Sequence, residues 1–199
     1  MNSKAQSAYT ARQTNDGVRT NTENTGTPRI TLNPEKIPQA LRDICQWVVW
    51  RAKPRKGKPG KFEKKPVAPH PLKGGTIRAG TTIAHSDPES WLTFEQATAF
   101  AASPPVGVKV SGIGLSLSSD LGVSAIDLDD CFDEERNLKP HYRAIVDELD
   151  SYTELSPSGN GLHIFVLGHA PGRANNRDHG VEIYPGPTTQ FITVTGSVY

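Results

Sequence analysis

Two carboxylates close an apolar stretch in Ala125-Ile-Asp-Leu-Asp-Asp130, with Asp127 and Asp129 at the end of what the alternation marks as a buried strand. Side chains at i and i+2 of a strand share a face, so the pair points one way while Leu128 points into the opposite layer. Like charges held together repel one another and are costly to desolvate, so a cation belongs between them. Magnesium and manganese prefer hard oxygen ligands, and a pair of such ions activates a nucleophile and stabilises the leaving group in nucleotidyl transfer. Taken alone, the two acids also suit a solvated strand end that begins the acidic loop Asp130 to Glu135.

Two further groups follow along the chain. In Ser156-Pro-Ser-Gly-Asn-Gly-Leu-His163, glycines at 159 and 161 let backbone amides approach a phosphate, Ser158 adds a hydroxyl donor, and His163 emerges on the next strand. In Gly180-Val-Glu-Ile-Tyr184, Glu182 interrupts a hydrophobic strand, which is where a two-metal site would take a third acid. Each is common by itself, as a tight turn or an outward-facing edge acid. Their order, acid pair, then Ser-Gly-x-Gly-x-His, then a single acid, is far more specific.

The elements that must position these residues are legible in outline. Pro34 suits a helix start, with Ile37, Leu41 and Ile44 at helical spacing up to Cys45. Gln46 to Trp50 reads as a strand, 53 to 80 as a long loop or irregular hairpin, and Ser86-Asp-Pro-Glu89 as the start of a helix whose apolar face is Trp91, Phe94, Ala97 and Phe100. Beyond Pro105, Gly112 to Leu117 and Val123 to Asp129 suggest a hairpin around Ser118-Ser-Asp120, followed by a helix over Pro140 to Leu149. Strands at Leu162 to Leu167, Val181 to Tyr184 and Gln190 to Thr195 complete an expected α+β domain with a largely antiparallel sheet. Residues 1–29, polar and without apolar periodicity, read as a disordered tail, leaving 30–199 as one domain.

Composition narrows the classes. In 199 residues there is no apolar run of membrane-spanning length and no signal-peptide core, so a soluble, cytoplasmic protein without a membrane partner is expected. Cys45 and Cys131 are far apart and without C-x-x-C spacing, so neither a disulfide framework nor a zinc site is indicated and two buried free thiols are expected. The net charge of +1 conceals segregation. Arg51 to Lys65 holds eight basic residues against Glu63, whereas Asp120 to Asp150 holds ten acids against Arg136, Lys139 and Arg143. A flexible basic segment carrying Arg55, Lys56, Lys58 and Lys61 suits a phosphate backbone, and also suits plain solvation.

The ordered triplet resembles the archaeo-eukaryotic primase superfamily, in particular the primase-polymerase domains of phages, plasmids and other mobile elements. The resemblance runs over residues 37–199 and takes in Trp47-Val-Val-Trp50, Lys65-Pro66, the stretch Asp87 to Ala97, and Phe191-Ile-Thr-Val-Thr-Gly196. It implies a catalytic sheet related to the RNA-recognition motif, packed with an N-terminal α/β unit. It also implies that Asp127, Asp129 and Glu182 hold two Mg2+ or Mn2+ ions, with Asp178 as a weaker candidate for the third acid. By the same likeness Ser158, Gly159, Gly161 and His163 meet the nucleotide phosphates, and Lys65 reaches the incoming triphosphate. Asp130 has no counterpart. Arg173 and Arg177 are candidates for a phosphate or template contact, because Gln190 stands where relatives carry a basic residue.

The function so implied is template-directed joining of nucleoside triphosphates on single-stranded DNA, by a DNA primase and polymerase active in replication. Similar domains usually continue into helicase or accessory regions. Two other readings compete: a non-catalytic single-strand-binding or replisome-scaffold module, and a rolling-circle nickase. The nickase needs H-x-H, and Phe165 stands where its second histidine would be.

Overall fold

Alternating apolar residues along Val123-Ser-Ala-Ile-Asp-Leu128 give a strand with two different faces, and the fold is built around both of them. The computed structural model describes residues 20–21, 29–57, 62–119, 121–172, 174–176 and 179–199. Lys58, Lys61, Asp120, Arg173, Arg177, Asp178 and most of the polar tail lie outside these residues.

The architecture is α+β with antiparallel sheets and few helices. A four-stranded sheet has the order β11-β5-β3-β4, from β3 (Trp47–Pro54), β4 (Phe62–Val67), β5 (Gly112–Ser116) and β11 (Phe191–Val194). A five-stranded sheet has the order β7-β8-β6-β10-β9, from β6 (Val123–Leu128), β7 (Tyr152–Leu155), β8 (Leu162–Leu167), β9 (Ala174–Asn176) and β10 (Val181–Tyr184). Two residue pairs, β1 (Thr20–Asn21) and β2 (Arg29–Ile30), form a small ribbon, and the Ile30 N–H reaches the Ser111 carbonyl at 2.9 Å.

The main core lies where the sheets meet. Trp47, Val49, Ile113, Leu115, Ile192 and Val194 pack there with Phe94, Ala97 and Ala101 of α2 (Phe94–Ala102) and with Val123, Ala125 and Phe165 of the larger sheet. The opposite face of that sheet, with Ile126, Leu128, Leu162 and Ile164, packs on Tyr142 of α3 (Pro140–Leu149). Each large side chain buried in this way is worth about 1.5–3 kcal/mol.

Several expectations are corrected. Gly112 to Leu117 and Val123 to Asp129 do not form a hairpin: β5 and β6 belong to different sheets, and the chain crosses between layers after Leu117. The four-stranded sheet is not purely N-terminal, because β11 supplies one edge. The helix expected to start at Ser86 begins only at Phe94, where Thr93 and Gln96 form a reciprocal capping box, and Asp87 instead caps a single turn, Pro88–Ser90. Pro38, extended at ψ 144°, breaks the helix expected from Pro34 to Cys45, so α1 is only Gln39–Arg42. Cys45 is therefore exposed, whereas Cys131 is buried and its thiol is pushed up to about 12 by that burial. The 53–80 loop holds a regular ladder in its first part, with Lys53 opposite Glu63 and Arg51 opposite Lys65.

Among the described residues no helix is long and apolar enough to cross a membrane.

Gly196 ties the C-terminal strand in place. Its φ is +70°, and a Cβ there would lie 2.1 Å from the Asn33 carbonyl oxygen. Gly196→Ala should therefore lose roughly 2–4 kcal/mol of stability, which a urea denaturation curve measures.

Candidate active site

The strand register builds the site. Asp127 on β6 stands opposite Glu182 on β10 and opposite His163 on β8, and His163 stands opposite Glu154 on β7. Directly opposed residues of an antiparallel pair share a face, so Glu154, His163, Asp127 and Glu182 form one row across four strands. The next row along the same face, Tyr152, Phe165, Ala125 and Tyr184, joins the apolar core. One face thus changes from packing surface to polar surface within one step of the alternation.

His163 is fully buried, and its Nδ1 donates to the Thr193 carbonyl of β11 at 2.8 Å. That bond turns Nε2 towards Asp127 Oδ1, 3.7 Å away. Neither Nε2 nor Oδ1 has a hydrogen-bond partner, although both atoms are buried. Such orphans are costly and mark a place where a ligand completes the structure. Glu182 is half-buried, and its Oε2 accepts from the Tyr184 hydroxyl.

Asp129 follows the end of β6, with its N–H on the Gly180 carbonyl at 2.8 Å. Its carboxyl is held above the usual carboxylate range, first by burial, then by Asp127, with Asp130 and Glu182 adding to the effect and Lys64 opposing it. Among the described residues no three acidic, histidine or cysteine side chains already stand as a metal-holding group. The residues nonetheless suit a hard cation: an orphaned carboxylate oxygen on Asp127, a neighbouring Asp129 whose carboxyl is raised by burial and by nearby acids, and no soft ligand among them.

Lys64 was missed at the sequence level. It lies on β4 of the other sheet, and its ammonium approaches Thr193 Oγ1 at 3.3 Å. The residue is exposed to water, although the protein around its ammonium desolvates it. Desolvation lowers its pKa, and Asp127 and Asp129 raise it in part. Lys65, expected to reach the triphosphate, points to the other face of β4 and pairs with Glu63 at 3.0 Å. The Lys-Pro signal falls on β4, where Lys64 and not Lys65 faces Asp127 and Asp129, because adjacent residues of a strand diverge.

Glu154 was also missed. It is fully buried and accepts from the Tyr152 hydroxyl (2.7 Å), the Thr195 N–H (2.8 Å) and the Gly196 N–H (2.8 Å). Nothing in Thr153-Glu-Leu155 distinguishes it from a surface acid in a half-buried strand.

The Ser156–Gly161 turn sits beside the row but spends its donors on itself. The Gly159 N–H bonds the Ser156 carbonyl (2.8 Å), and the Ser158 hydroxyl meets Ser156 Oγ (3.0 Å) and the Asn160 N–H (3.2 Å). A Cβ on Gly161 would lie 2.5 Å from the Leu128 carbonyl, so this glycine serves the close approach of β8 to β6. Arg136 braces the turn through the Gly159 carbonyl (2.6 Å) and Asn160 Oδ1 (3.1 Å). Arg55 and Lys56 are exposed where the chain leaves β3.

The raised Asp129 carboxyl sets a pH dependence. A folded-state pKa above the unfolded one means the charged form opposes folding, so the penalty is full above the folded pKa, shrinks as pH falls through it and is gone below the unfolded pKa. Without divalent ions, Asp129→Asn should therefore be more stable than the wild type at pH 7 and lose that advantage on acidification. Thermal unfolding across pH in the presence of a chelator checks this.

No family model matches the chain. Among curated proteins, the DNA primase-polymerase of Nitratiruptor phage NrS-1 is 29% identical over 165 residues, covering 81% of this chain. The chain spans only 20% of that protein's length. The resemblance carried by the ordered motifs is thus borne out: the chain is a relative of a phage DNA primase-polymerase.

Proposed function

We propose that this chain is a template-directed nucleotidyltransferase, the primase-polymerase core that joins nucleoside triphosphates on single-stranded DNA during replication of a mobile element. The observation that carries the reading is the alignment of His163, Asp127 and Glu182 across three adjacent strands, with the facing atoms of His163 and Asp127 unpartnered.

Asp127, Asp129 and Glu182 are the residues that would hold magnesium or manganese. Two such ions, when bound, lower the pKa of a 3′-hydroxyl and neutralise charge on the reacting phosphate. The protein's own part is positioning, which in phosphoryl transfer requires no nucleophilic side chain. The Thr193 carbonyl fixes His163 through Nδ1, so that Nε2, when it carries a proton, donates to a triphosphate oxygen arriving beside Asp127. Lys64 adds a positive charge from the opposite wall and takes the role first expected of Lys65. The exposed cations Arg55 and Lys56 suit a contact to the template backbone that reads no bases. A helicase domain or protein is the natural partner, because such synthesis needs an unwound strand.

The direct experiment supplies single-stranded template, labelled nucleotides and manganese or magnesium, with and without primer. Incorporation that depends on template and metal is expected, whereas strand binding without incorporation would favour a scaffold module. Asp127→Ala combined with Asp129→Ala should abolish incorporation and leave the fold intact, as judged by circular dichroism. His163→Ala should raise the nucleotide KM and slow turnover, about 10²-fold in kcat/KM if one transition-state contact is lost, while template affinity stays within about twofold.

A further inference from the structure

The β3–β4 hairpin carries an aromatic side chain that the core does not use. Phe62 opens β4 and is 42% exposed, unlike the buried aromatics Trp47, Trp50, Phe94 and Phe165. Strand alternation puts Phe62, Lys64 and Pro66 on one face, opposite to Val67, which packs into the main core. Lys64 on that face feels Asp127 and Asp129. Phe62 stands two residues further out, about 7 Å along the strand.

Its surroundings are cationic. Lys64 shares its face, Phe62 lies opposite Pro54 at the end of the ladder, and the exposed Arg55 and Lys56 follow Pro54 in the turn, while Lys53 points to the other face. A protein partner would want a wider apolar patch depleted of charge, and a lone ring among cations does not provide one. Single-stranded nucleic acid wants this combination: an aromatic face on which a base stacks, with positive groups alongside for the phosphates.

We infer that Phe62 is a stacking platform for a nucleobase of the single strand that passes Lys64 on its way to Asp127 and Asp129. The inference rests on the primase-polymerase reading, since the strand it serves is the template. It adds to that reading a contact made to the base and not to the phosphate, which tolerates any sequence because every base has a π face.

The test measures fluorescence anisotropy of the full chain binding a single-stranded oligonucleotide at several salt concentrations, for the wild type, Phe62→Ala, Phe62→Leu and Phe62→Trp. Leu keeps apolar bulk without the ring, and Trp keeps the ring. Stacking predicts that Phe62→Ala and Phe62→Leu bind about 5- to 100-fold more weakly and that Phe62→Trp matches the wild type. The slope of log affinity against log salt should stay unchanged, because a stacked base releases no counterion. On an oligonucleotide carrying an abasic stretch, all four proteins should bind alike. Affinity of Phe62→Leu within twofold of the wild type, or an equal loss on the abasic strand, overturns the inference. A wild type that binds no single strand brings down the template reading and this inference together, whereas wild-type binding with an indifferent Phe62→Ala brings down the stacking alone.

Discussion

A carboxylate with no exposure to water joins the two sheets. Burying Glu154 is affordable only because three donors and the neighbouring His163 ring surround it. Two of those donors are the backbone N–H groups of Thr195 and Gly196, just past β11, so the acid on the larger sheet fixes the end of a strand in the smaller one. That strand in turn offers the Thr193 carbonyl to His163. The Tyr152 hydroxyl is held far above its ordinary pKa, by burial first and then by Glu154, so it remains a donor. The orientation of His163 thus depends on a hydrogen-bonded circuit that runs through both layers. Removing any member would strand buried polar groups elsewhere in it.

The segregated charge of the sequence becomes intelligible once the layers are known. Of the acids in the stretch Asp120 to Asp150, Asp127 sits on the five-stranded sheet, Asp129 just past it and Asp147 and Glu148 on α3, while the basic hairpin belongs to the four-stranded sheet, and the two signs meet where Lys64 approaches Asp127 and Asp129. Lys64 is held in place by this opposition: desolvation weakens its charge, while Asp127 and Asp129 sustain it. A triphosphate with its metals would bring both signs into the same space, meeting carboxylates from one wall and an ammonium from the other.

Much of the fold was legible because its strongest signals are local. The strands holding Asp127, His163 and Glu182 alternate cleanly, and α3 begins at a proline and runs for ten residues as its apolar spacing requires. What was not legible is non-local. Nothing near Ser118 reveals that the chain changes sheets there, because a short polar link looks the same whether the next strand pairs with the last or leaves it. Lys64 was passed over for Lys65 because the face of a strand cannot be assigned when charged residues occupy both sides. Glu154 was invisible because its value lies in partners 41 and 42 residues away.

The register of β8 against β6 has a consequence for how such a chain can vary over time. A strand repeats every two residues, so losing or gaining one residue between Gly161 and His163 would turn the imidazole to the α3 side and carry Leu162 to the opposite one. Two residues would restore the face but shift the ring about 7 Å along it, out of reach of the Thr193 carbonyl. Length in these strands is therefore frozen. Length polymorphism among descendants of this gene should collect instead in the link after Leu117, in the tip of the basic hairpin and in the segment before β9, where added chain costs little more than the slow logarithm of loop closure.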